Sequence, residues 1–177
     1  MLTYYTDGSC RPTNPGPGGF AVIRNNVPWI MGAEENSTNI RMEGEALYQA
    51  IKDSKRETCT IYSDSEFWIN VLTKWAPGWK SKGWKKSSGE IKNLDLVQKL
   101  YAAYVDSDAR LVWVKGHADD PGNIKADKYA LIASGHWLGT DESKRALEAA
   151  IVEMTVGHDR TGMWVCGGLV ESDSIRP

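Results

Sequence analysis

The stretch YTDGS at Tyr5–Ser9 is nearly repeated, much later in the chain, as YSDSE at Tyr62–Glu66. Each copy ends a run of residues typical of a β-strand and places an aspartate, Asp7 or Asp64, where the predicted strand stops. If the two strands are neighbours in a sheet, the two carboxylates lie close together. Like charges at that separation repel and raise each other's pKa unless a cation lies between them. The repeated strand ending therefore indicates a metal site.

Two further acids lie on helix faces that are otherwise apolar. In the predicted helix 42–55, Glu43 lies near the middle of the apolar stripe, whereas Glu45 points to the opposite, solvated side. In the predicted helix 123–134, Asp127 likewise shares a face with small and apolar residues. Because an unpaired carboxylate is costly to bury, both positions indicate a role other than solvation.

Each acid taken alone also has a structural explanation. An aspartate at a strand end commonly forms a turn or caps the next helix, and Asp64 could cap a helix that begins near Ser65. For any single acid this structural explanation has the higher prior. Four such acids together, two at strand ends and two on apolar helix faces, favour metal binding.

Composition limits the class of protein. The chain has 177 residues, of which 41% are hydrophobic and 25% are charged, as expected for one globular domain with or without an appendage. No signal peptide and no apolar run long enough for a membrane span are evident, so we expect no membrane partner. Cys10, Cys59 and Cys166 are odd in number and have no paired spacing. We therefore expect reduced thiols in a cytoplasmic protein. We also expect a monomer.

A basic segment stands out against the net charge of −2. The segment from Lys74 to Lys99 contains seven lysines and only two acids. Its charge is therefore +5, which leaves −7 for the rest of the chain. Lysines contact phosphates, and indole rings can pack on sugars or bases. The alternative is a solvated basic helix with core tryptophans, and we expect both to be partly true. The candidate substrate-binding residues here are Trp75, Trp79, Lys80, Lys82, Trp84, Lys85 and Lys86.

The order of predicted elements is strand, strand, strand, helix, strand, helix, basic segment, helix, strand, helix. This order predicts an α/β protein with a mixed sheet and parallel crossovers. In such sheets a binding site forms beyond the strand ends where the strand order changes direction. The predicted positions of Asp7 and Asp64 at two strand ends agree with such a site. The loop 115–122 follows the last of these strands and brings His117 close to the helix that bears Asp127.

Several motifs share one order and spacing along the chain. They are TDGSC (6–10) with NPGPGG (14–19), TNIRME (38–43), SDS (63–65), GWK at 78–80 and again at 83–85, KNLDL (92–96), and VKGHA (114–118) with Asp127 after it. On these motifs the chain resembles a type 1 ribonuclease H of bacterial form over roughly residues 1–135. The resemblance implies the RNase H-like fold: α/β, with a mixed five-stranded sheet of three antiparallel N-terminal strands and two parallel ones, flanked by helices.

The resemblance also implies an activity. Members of the family are endonucleases that hydrolyse the RNA strand of an RNA–DNA hybrid and leave 5′-phosphate and 3′-hydroxyl ends. They use two Mg²⁺ ions, with Mn²⁺ as a possible substitute, to activate a water and to stabilise the leaving oxygen. The family's ligand set falls on Asp7, Glu43, Asp64 and Asp127. Its loop histidine, which serves in proton delivery or product release, matches His117.

Substrate contacts follow from the same resemblance. Recognition of RNA requires contacts with 2′-hydroxyls across the wide minor groove of an A-like duplex. The family's residues for this surface fall on Gly8, Cys10, Asn14, Thr38 and Asn39, and its basic protrusion, which grips the DNA strand, falls on the tryptophan–lysine segment. The structural alternatives are turn formation for Asn14 and a helix N-terminus for Thr38 and Asn39.

The chain departs from the family pattern at a few positions. Glu66 stands where bacterial members commonly have Gln, Ile124 replaces an acidic residue, and the loop carries Asp119 and Asp120. None of these changes removes a predicted metal ligand. Glu66 and the acidic loop give slight support to an alternative function, a hybrid-binding module without turnover, which the intact acid set opposes.

We divide the chain into a catalytic domain, residues 1–135, and a C-terminal extension, residues 136–177. The extension is predicted to contain a helix over 140–154 and a strand within 157–170. We expect it to pack against the catalytic domain. The alternative is an element for self-association or partner docking.

Overall fold

The computed structural model describes residues 1–116, 119–154, 156–158 and 163–166. These residues form a central sheet with helices on both faces. The strands are β1 (Leu2–Cys10), β2 (Gly16–Arg24), β3 (Val27–Ser37), β4 (Cys59–Ser63), β5 (Ala109–Trp113), β6 (Val156–His158) and β7 (Met163–Cys166). The helices are α1 (Asn39–Asp53), α2 (Glu66–Asn70), α3 (Ala76–Ser81), α4 (Leu94–Val105), α5 (Pro121–Ser134) and α6 (Asp141–Met154), with a π-helical turn (Val71–Trp75) between α2 and α3 and a 3₁₀ turn (Gly135–Trp137) after α5.

Strand β1 lies where the sheet changes direction. It pairs in parallel with β4 on one side and antiparallel with β2 on the other, within the order β5-β4-β1-β2-β3-β7-β6. Thr6 pairs with Ser63, so Asp7 and Asp64 each follow the last residue of this pairing at the same edge. The predicted α/β fold, with three antiparallel N-terminal strands and two parallel ones, is confirmed. Strands β7 and β6 extend the sheet beyond β3.

Two hydrophobic layers enclose the sheet. On β2, Phe20 and Val22 point into the layer shared with α1, α2 and α4, whereas Ala21 and Ile23 point into the layer shared with α5 and α6. This alternation is the period of two expected when both faces of a strand are covered. Each fully buried large apolar side chain contributes about 1.5–3 kcal/mol to stability. The two layers therefore provide stability that offsets the cost of holding polar groups together at the sheet edge.

The C-terminal region contributes to the second layer. Leu147 and Met154 of α6 and Trp164 of β7 are buried together with β2 and α5 side chains. Strand β7 pairs with β3 through Ile30–Gly32. Across the described residues, no helix combines the length and the apolar character that a membrane crossing would need.

Gly8 allows α1 to lie directly against β1. A Cβ atom at Gly8 would lie 2.2 Å from the backbone nitrogen of Glu43 and 2.2 Å from the carbonyl carbon of Met42. The start of α1 is set by Thr38, whose Oγ1 accepts a hydrogen bond from the Arg41 backbone nitrogen at 3.1 Å. Because glycine at position 8 has no side chain, α1 can place Glu43 close to the end of the β1–β4 pairing.

Gly8→Ala is expected to lower the free energy of unfolding by about 1–3 kcal/mol or more, because the new methyl group would overlap backbone atoms that cannot rotate away. The matched control is Gly78→Ala in α3, where a Cβ atom would meet nothing within 4 Å. The control should gain about 0.5–1 kcal/mol, since alanine favours helix. Urea unfolding of both variants measures the difference, and equal stabilities would contradict the close approach.

Candidate metal centre and nucleic-acid surface

Three carboxylates converge at the edge of the sheet. One oxygen from each of Asp7, Glu43 and Asp64 lies within 4.8 Å of the other two. Asp7 is 5% exposed, and its Oδ1 accepts a hydrogen bond from the Gly8 backbone nitrogen at 2.8 Å. Glu43 and Asp64 are half-buried. Residues from β1, α1 and the end of β4, far apart in sequence, thus form one acidic cluster.

The pairing of β1 explains why Asp7 is so well buried. The sequence pattern ends the first strand before Asp7, but β1 continues to Cys10. The parallel pairing with β4 ends at Thr6, whereas the antiparallel pairing with β2 continues from Asp7 to Cys10. Asp7 is therefore held by a regular strand on one side while its carboxylate faces the open end of β4.

Ser65 serves both α2 and the acidic cluster. Its Oγ accepts a hydrogen bond from the Trp68 backbone nitrogen at 3.3 Å, which makes Ser65 the N-cap of α2. The Ser65 hydroxyl also donates to the Glu43 carboxylate. Capping is thus done by Ser65, and Asp64 is not needed for that structural role.

Burial and repulsion keep protons on the cluster in the absence of a cation. Burial, and then the Asp64 charge, raise the pKa of Asp7 well above its ordinary value of 3.8, against the lowering effect of the Gly8 backbone N–H. Burial also raises the pKa of Glu43 to about 7, assisted by Asp64 and opposed by the Ser65 hydrogen bond. A divalent cation would remove this repulsion, and carboxylate oxygens are the ligands that Mg²⁺ prefers. The donor set fits such an ion.

The fourth predicted acid, Asp127, approaches the cluster from α5. The carboxyl groups of Asp7 and Asp127 are within hydrogen-bonding reach of each other, and both this contact and the charge of Asp127 raise the pKa of Asp7. Asp127 also lines a cleft of about 60 Å³ together with Asp64, Asn123 and Ile124. Asp127 contacts Asp7 and shares a cleft with Asp64, so all four predicted acids lie at one edge, although only three lie within the 4.8 Å set.

The loop between β5 and α5 borders this edge. A Cβ atom at Gly116 would lie 3.1 Å from Asp64 Oδ2, so the loop backbone runs beside the cluster. His117, the predicted proton-transfer residue, lies outside the described residues. Asp120 has a structural function: its Oδ1 accepts hydrogen bonds from the backbone nitrogens of Gly122 (3.0 Å) and Asn123 (3.4 Å), which caps α5. The acid at position 120 is thereby explained without reference to substrate.

The five residues predicted to contact the minor groove lie near one another. The Cys10 backbone nitrogen donates to Asn39 Oδ1 at 2.6 Å, and the Asn39 backbone nitrogen donates to Asn14 Oδ1 at 3.1 Å. Gly8 and Cys10 are buried, Thr38 and Asn39 are half-buried, and Asn14 is exposed. The side chains of Asn14 and Asn39 thus connect the turn after β1 to the start of α1.

The tryptophan–lysine segment combines packing and exposure. Trp79 and Trp84 pack against the core, and Trp84 meets the Tyr101 ring edge-on at 6.2 Å between centroids. Trp75 is 42% exposed and lies 6.1 Å from Trp79 between ring centroids. Of the four candidate lysines, Lys86 is half-buried, and Lys80, Lys82 and Lys85 are exposed. The segment therefore combines exposed lysines with tryptophan rings, two of which pack against the core.

Comparison with known proteins identifies the family. A family model described as RNase H matches residues 1–134. The chain belongs to the RNase H family. The family assignment, the predicted enzyme class of metal-dependent endoribonuclease and the predicted activity on RNA–DNA hybrids are confirmed.

Curated relatives agree with this family assignment. Ribonuclease H of Verminephrobacter eiseniae (strain EF01-2) is 41% identical over 137 residues, which cover 73% of this chain and 88% of that protein. Ribonuclease H of Caulobacter sp. (strain K31) is 38% identical over 151 residues, which cover 82% of this chain and 97% of that protein. The match to ribonuclease H of Methylorubrum extorquens (strain PA1) is 36% identical and covers 81% of this chain but 64% of that protein.

Solved structures show the same fold. LC9-RNase H1, described as a type 1 RNase H with the type 2 active-site motif, superposes with a TM-score of 0.67 at 23% identity and covers 82% of this chain and 83% of that one. A foamy viral protease-reverse transcriptase in complex with RNA/DNA hybrid superposes with a TM-score of 0.63 at 18% identity, covering 75% of this chain and 20% of that one.

Two features of this RNase H are not predicted by the sequence pattern. The helical period places Glu45 on a solvated face, but its side chain is 16% exposed and accepts an ion-paired hydrogen bond from Lys99 Nζ at 3.0 Å. Asn123 is absent from the predicted site, although it is 3% exposed and lines the cleft beside Asp64 and Asp127. Its place one helical turn before Asp127 is a signal that the sequence offers.

The raised pKa of Glu43 predicts a pH dependence of the metal-free protein. The folded state retains a proton that the unfolded chain releases between its pKa of 4.5 and the folded value of about 7. Over this window the free energy of unfolding therefore falls as pH rises, by up to about 1.4 kcal/mol per pH unit from this group. Glu43→Gln, which cannot ionise, should become progressively more stable than the parent between these two pH values. Urea unfolding in EDTA measures this, and a constant difference between the two proteins would argue against the shift.

Proposed function

We propose that Asp7, Glu43, Asp64 and Asp127 hold two Mg²⁺ ions, with Mn²⁺ as a possible substitute, and that this site cuts the RNA strand of an RNA–DNA hybrid to 5′-phosphate and 3′-hydroxyl ends. The observation that carries the proposal is the convergence of three carboxylate oxygens within 4.8 Å of one another, with Asp127 hydrogen-bonded to Asp7. Four acids at one edge have no comparable structural use, because each ionised carboxylate adds repulsion that a divalent cation would relieve.

The chain's own residues would position these ions. When bound, the ions supply Lewis acidity, which activates a water and stabilises the leaving oxygen. Ser65 orients Glu43 through its hydroxyl, and Gly8 fixes one oxygen of Asp7 through its backbone N–H. Partial burial of the carboxylates lowers the local dielectric response and strengthens their attraction for a cation. We assign proton transfer to His117 from its place in the VKGHA motif and from the ordinary pKa of histidine, about 6.5.

Substrate binding would use two surfaces. Gly8, Cys10, Asn14, Thr38 and Asn39 would contact the 2′-hydroxyls of the RNA strand, and the hydrogen bonds that link Asn14, Asn39 and Cys10 support a preformed surface. The tryptophan–lysine segment would contact the phosphates of the DNA strand, which its exposed lysines support.

We also propose a cytoplasmic monomer in which residues 1–135 form the catalytic domain and residues 136–177 form an extension. The buried free thiols of Cys10 and Cys59 support a reducing compartment. The family match over residues 1–134 supports the boundary. Sedimentation velocity distinguishes a monomer from a dimer.

Asp7→Asn and Glu43→Gln are each expected to reduce cleavage by roughly three orders of magnitude or more, because metal catalysis contributes several kcal/mol and each 1.4 kcal/mol is tenfold in rate. Glu45→Gln is the matched control on the same helix, and it should retain activity while losing about 0.5–1 kcal/mol of stability with its partner Lys99. The measurement is cleavage of an end-labelled RNA–DNA hybrid with Mg²⁺ and, in parallel, with EDTA. Tight hybrid binding without cleavage in any divalent ion would favour a binding module instead.

Replacing Lys80, Lys82, Lys85 and Lys86 by Gln should raise KM with little change in kcat, because these residues are proposed to contact phosphates away from the reacting bond. The slope of log affinity against log salt should become shallower by about 0.9 for each phosphate that the variant no longer neutralises. A control with Lys144→Gln and Arg145→Gln removes exposed cations from α6 and should leave the slope unchanged. Weaker binding with the parent's salt slope would rule out phosphate binding by these lysines.

A further inference from the structure

The two copies of the repeated strand ending begin with tyrosines that contact each other. Tyr5 and Tyr62 pair across the parallel strands β1 and β4, and their rings are stacked with centroids 4.7 Å apart and an interplanar angle of 16°. Each tyrosine stands two residues before an acid of the cluster, Asp7 or Asp64. Because side chains two residues apart in a strand share a face, the stack lies on the same face of the sheet as the Asp7 carboxylate.

Packing in the core does not account for Tyr62. Its ring is half-buried, and it does not belong to either of the two hydrophobic layers that the described residues form. An aromatic pair on neighbouring strands can serve simply to stabilise a sheet, and this is the structural alternative. The stack, however, lies one residue before the end of the β1–β4 pairing, next to the two acids that this pairing brings together.

The ring of Tyr5 is held in place by α5. A Cβ atom at Gly122 would lie 2.3 Å from the Tyr5 ring, so the first turn of α5 lies directly on this side chain. The Tyr5 hydroxyl donates to Asp120 Oδ2 at 3.3 Å, and the other oxygen of Asp120 caps the same turn. Tyr5 therefore cannot shift without moving the helix that carries Asp127. Tyr62 thus stacks on a ring whose position is fixed.

Asp64 depends on the end of β4 for its position. The last residue of β4 is Ser63, whose carbonyl oxygen accepts a hydrogen bond from the Val114 backbone nitrogen at 2.9 Å, and Asp64 follows outside the strand. Groups at a functional site have to be held within about 0.5 Å of their working positions by packed neighbours. The stack supplies such packing two residues before Asp64, on the strand that has to lie at a set distance from Asp7.

We infer that the stacked pair Tyr5–Tyr62 is a positioning element of the acidic site, which sets the separation of Asp7 and Asp64 for a divalent cation. The inference rests on the proposed metal function. In this role neither ring contacts the ion or the substrate, and the pair acts through the two strand ends. Without the stack, the two carboxylates, which repel each other when ionised, are free to move apart. Misplacement by about 1 Å can cost about 100-fold in rate.

The test uses variants of the full-length protein at two neighbouring strands. Tyr62→Leu and Tyr62→Thr remove the ring, and threonine in addition suits a half-buried strand position. Tyr62→Phe keeps the ring. Tyr4→Phe is the matched control, because Tyr4 is the neighbour of Tyr5 on β1 and its hydroxyl donates to Asp53 Oδ2 at 2.6 Å in the opposite layer.

Each variant is measured by isothermal titration calorimetry of the metal-free protein with Mg²⁺ alone, by cleavage of an RNA–DNA hybrid, and by thermal unfolding in EDTA. The two ringless variants of Tyr62 are expected to bind Mg²⁺ about tenfold more weakly. Their kcat should fall by about 10–100-fold with KM for the hybrid unchanged, because the stack is not part of the proposed substrate surfaces. Tyr62→Phe should keep the parent's Mg²⁺ affinity and kcat. Tyr4→Phe should lower the unfolding midpoint and leave both values unchanged.

Three results would overturn the inference: Mg²⁺ binding by the ringless variants equal to that of the parent, the same loss in Tyr62→Phe as in Tyr62→Leu, or a loss of Mg²⁺ affinity in Tyr4→Phe as large as theirs. Asp7→Asn, titrated with Mg²⁺ in parallel, separates this inference from the proposed function. If Asp7→Asn weakens Mg²⁺ binding and the ringless variants do not, only the role of the stack fails. If none of these variants weakens it, the metal site itself is wrong.

Discussion

Repulsion among carboxylates is the constraint on which this structure depends. Asp7, Glu43 and Asp64 have oxygens within 4.8 Å of one another, and burial adds to the cost of ionising them. Burial and mutual repulsion favour protonated carboxyls in the cluster, and a divalent cation bound there, as we propose, would favour the ionised forms. The rest of the fold therefore has to hold three groups together that would separate if they were free to move.

The elements that carry these acids are held by contacts that permit little movement. Gly8 lets α1 approach β1 at backbone distance, and Gly19 does the same for α5, because a Cβ atom there would lie 2.2 Å from the Ser134 nitrogen. Helix α5 is also bound on its outer side by α6, where the Tyr129 hydroxyl donates to Glu153. Asp127 is thus carried by a helix fixed on both sides. Packed interiors transmit such constraints because they contain few voids.

Local sequence patterns are sufficient to predict the acids and the central strands. Asp7 and Asp64 follow two similar strand endings, and parallel neighbours place such endings at one edge of a sheet. Glu43 and Asp127 are identified because a charged residue interrupts an apolar stripe of helical period. These inferences need only the period of each element and the direction of neighbouring strands, both of which are local properties.

What local patterns cannot supply is the partner across space. Glu45 lies on the face of α1 opposite Glu43, as its helical angle requires, but that face meets Lys99 of α4. From the sequence, Asp120 is an extra acid of the loop. In the structure its carboxylate oxygens accept hydrogen bonds from the Tyr5 hydroxyl and from the first turn of α5. A helical or strand period assigns a side chain to a face, and only the tertiary fold decides what lies opposite that face. The same acid type therefore serves as a member of the acidic cluster, as an ion-pair partner or as a helix cap, according to contacts that are distant in sequence.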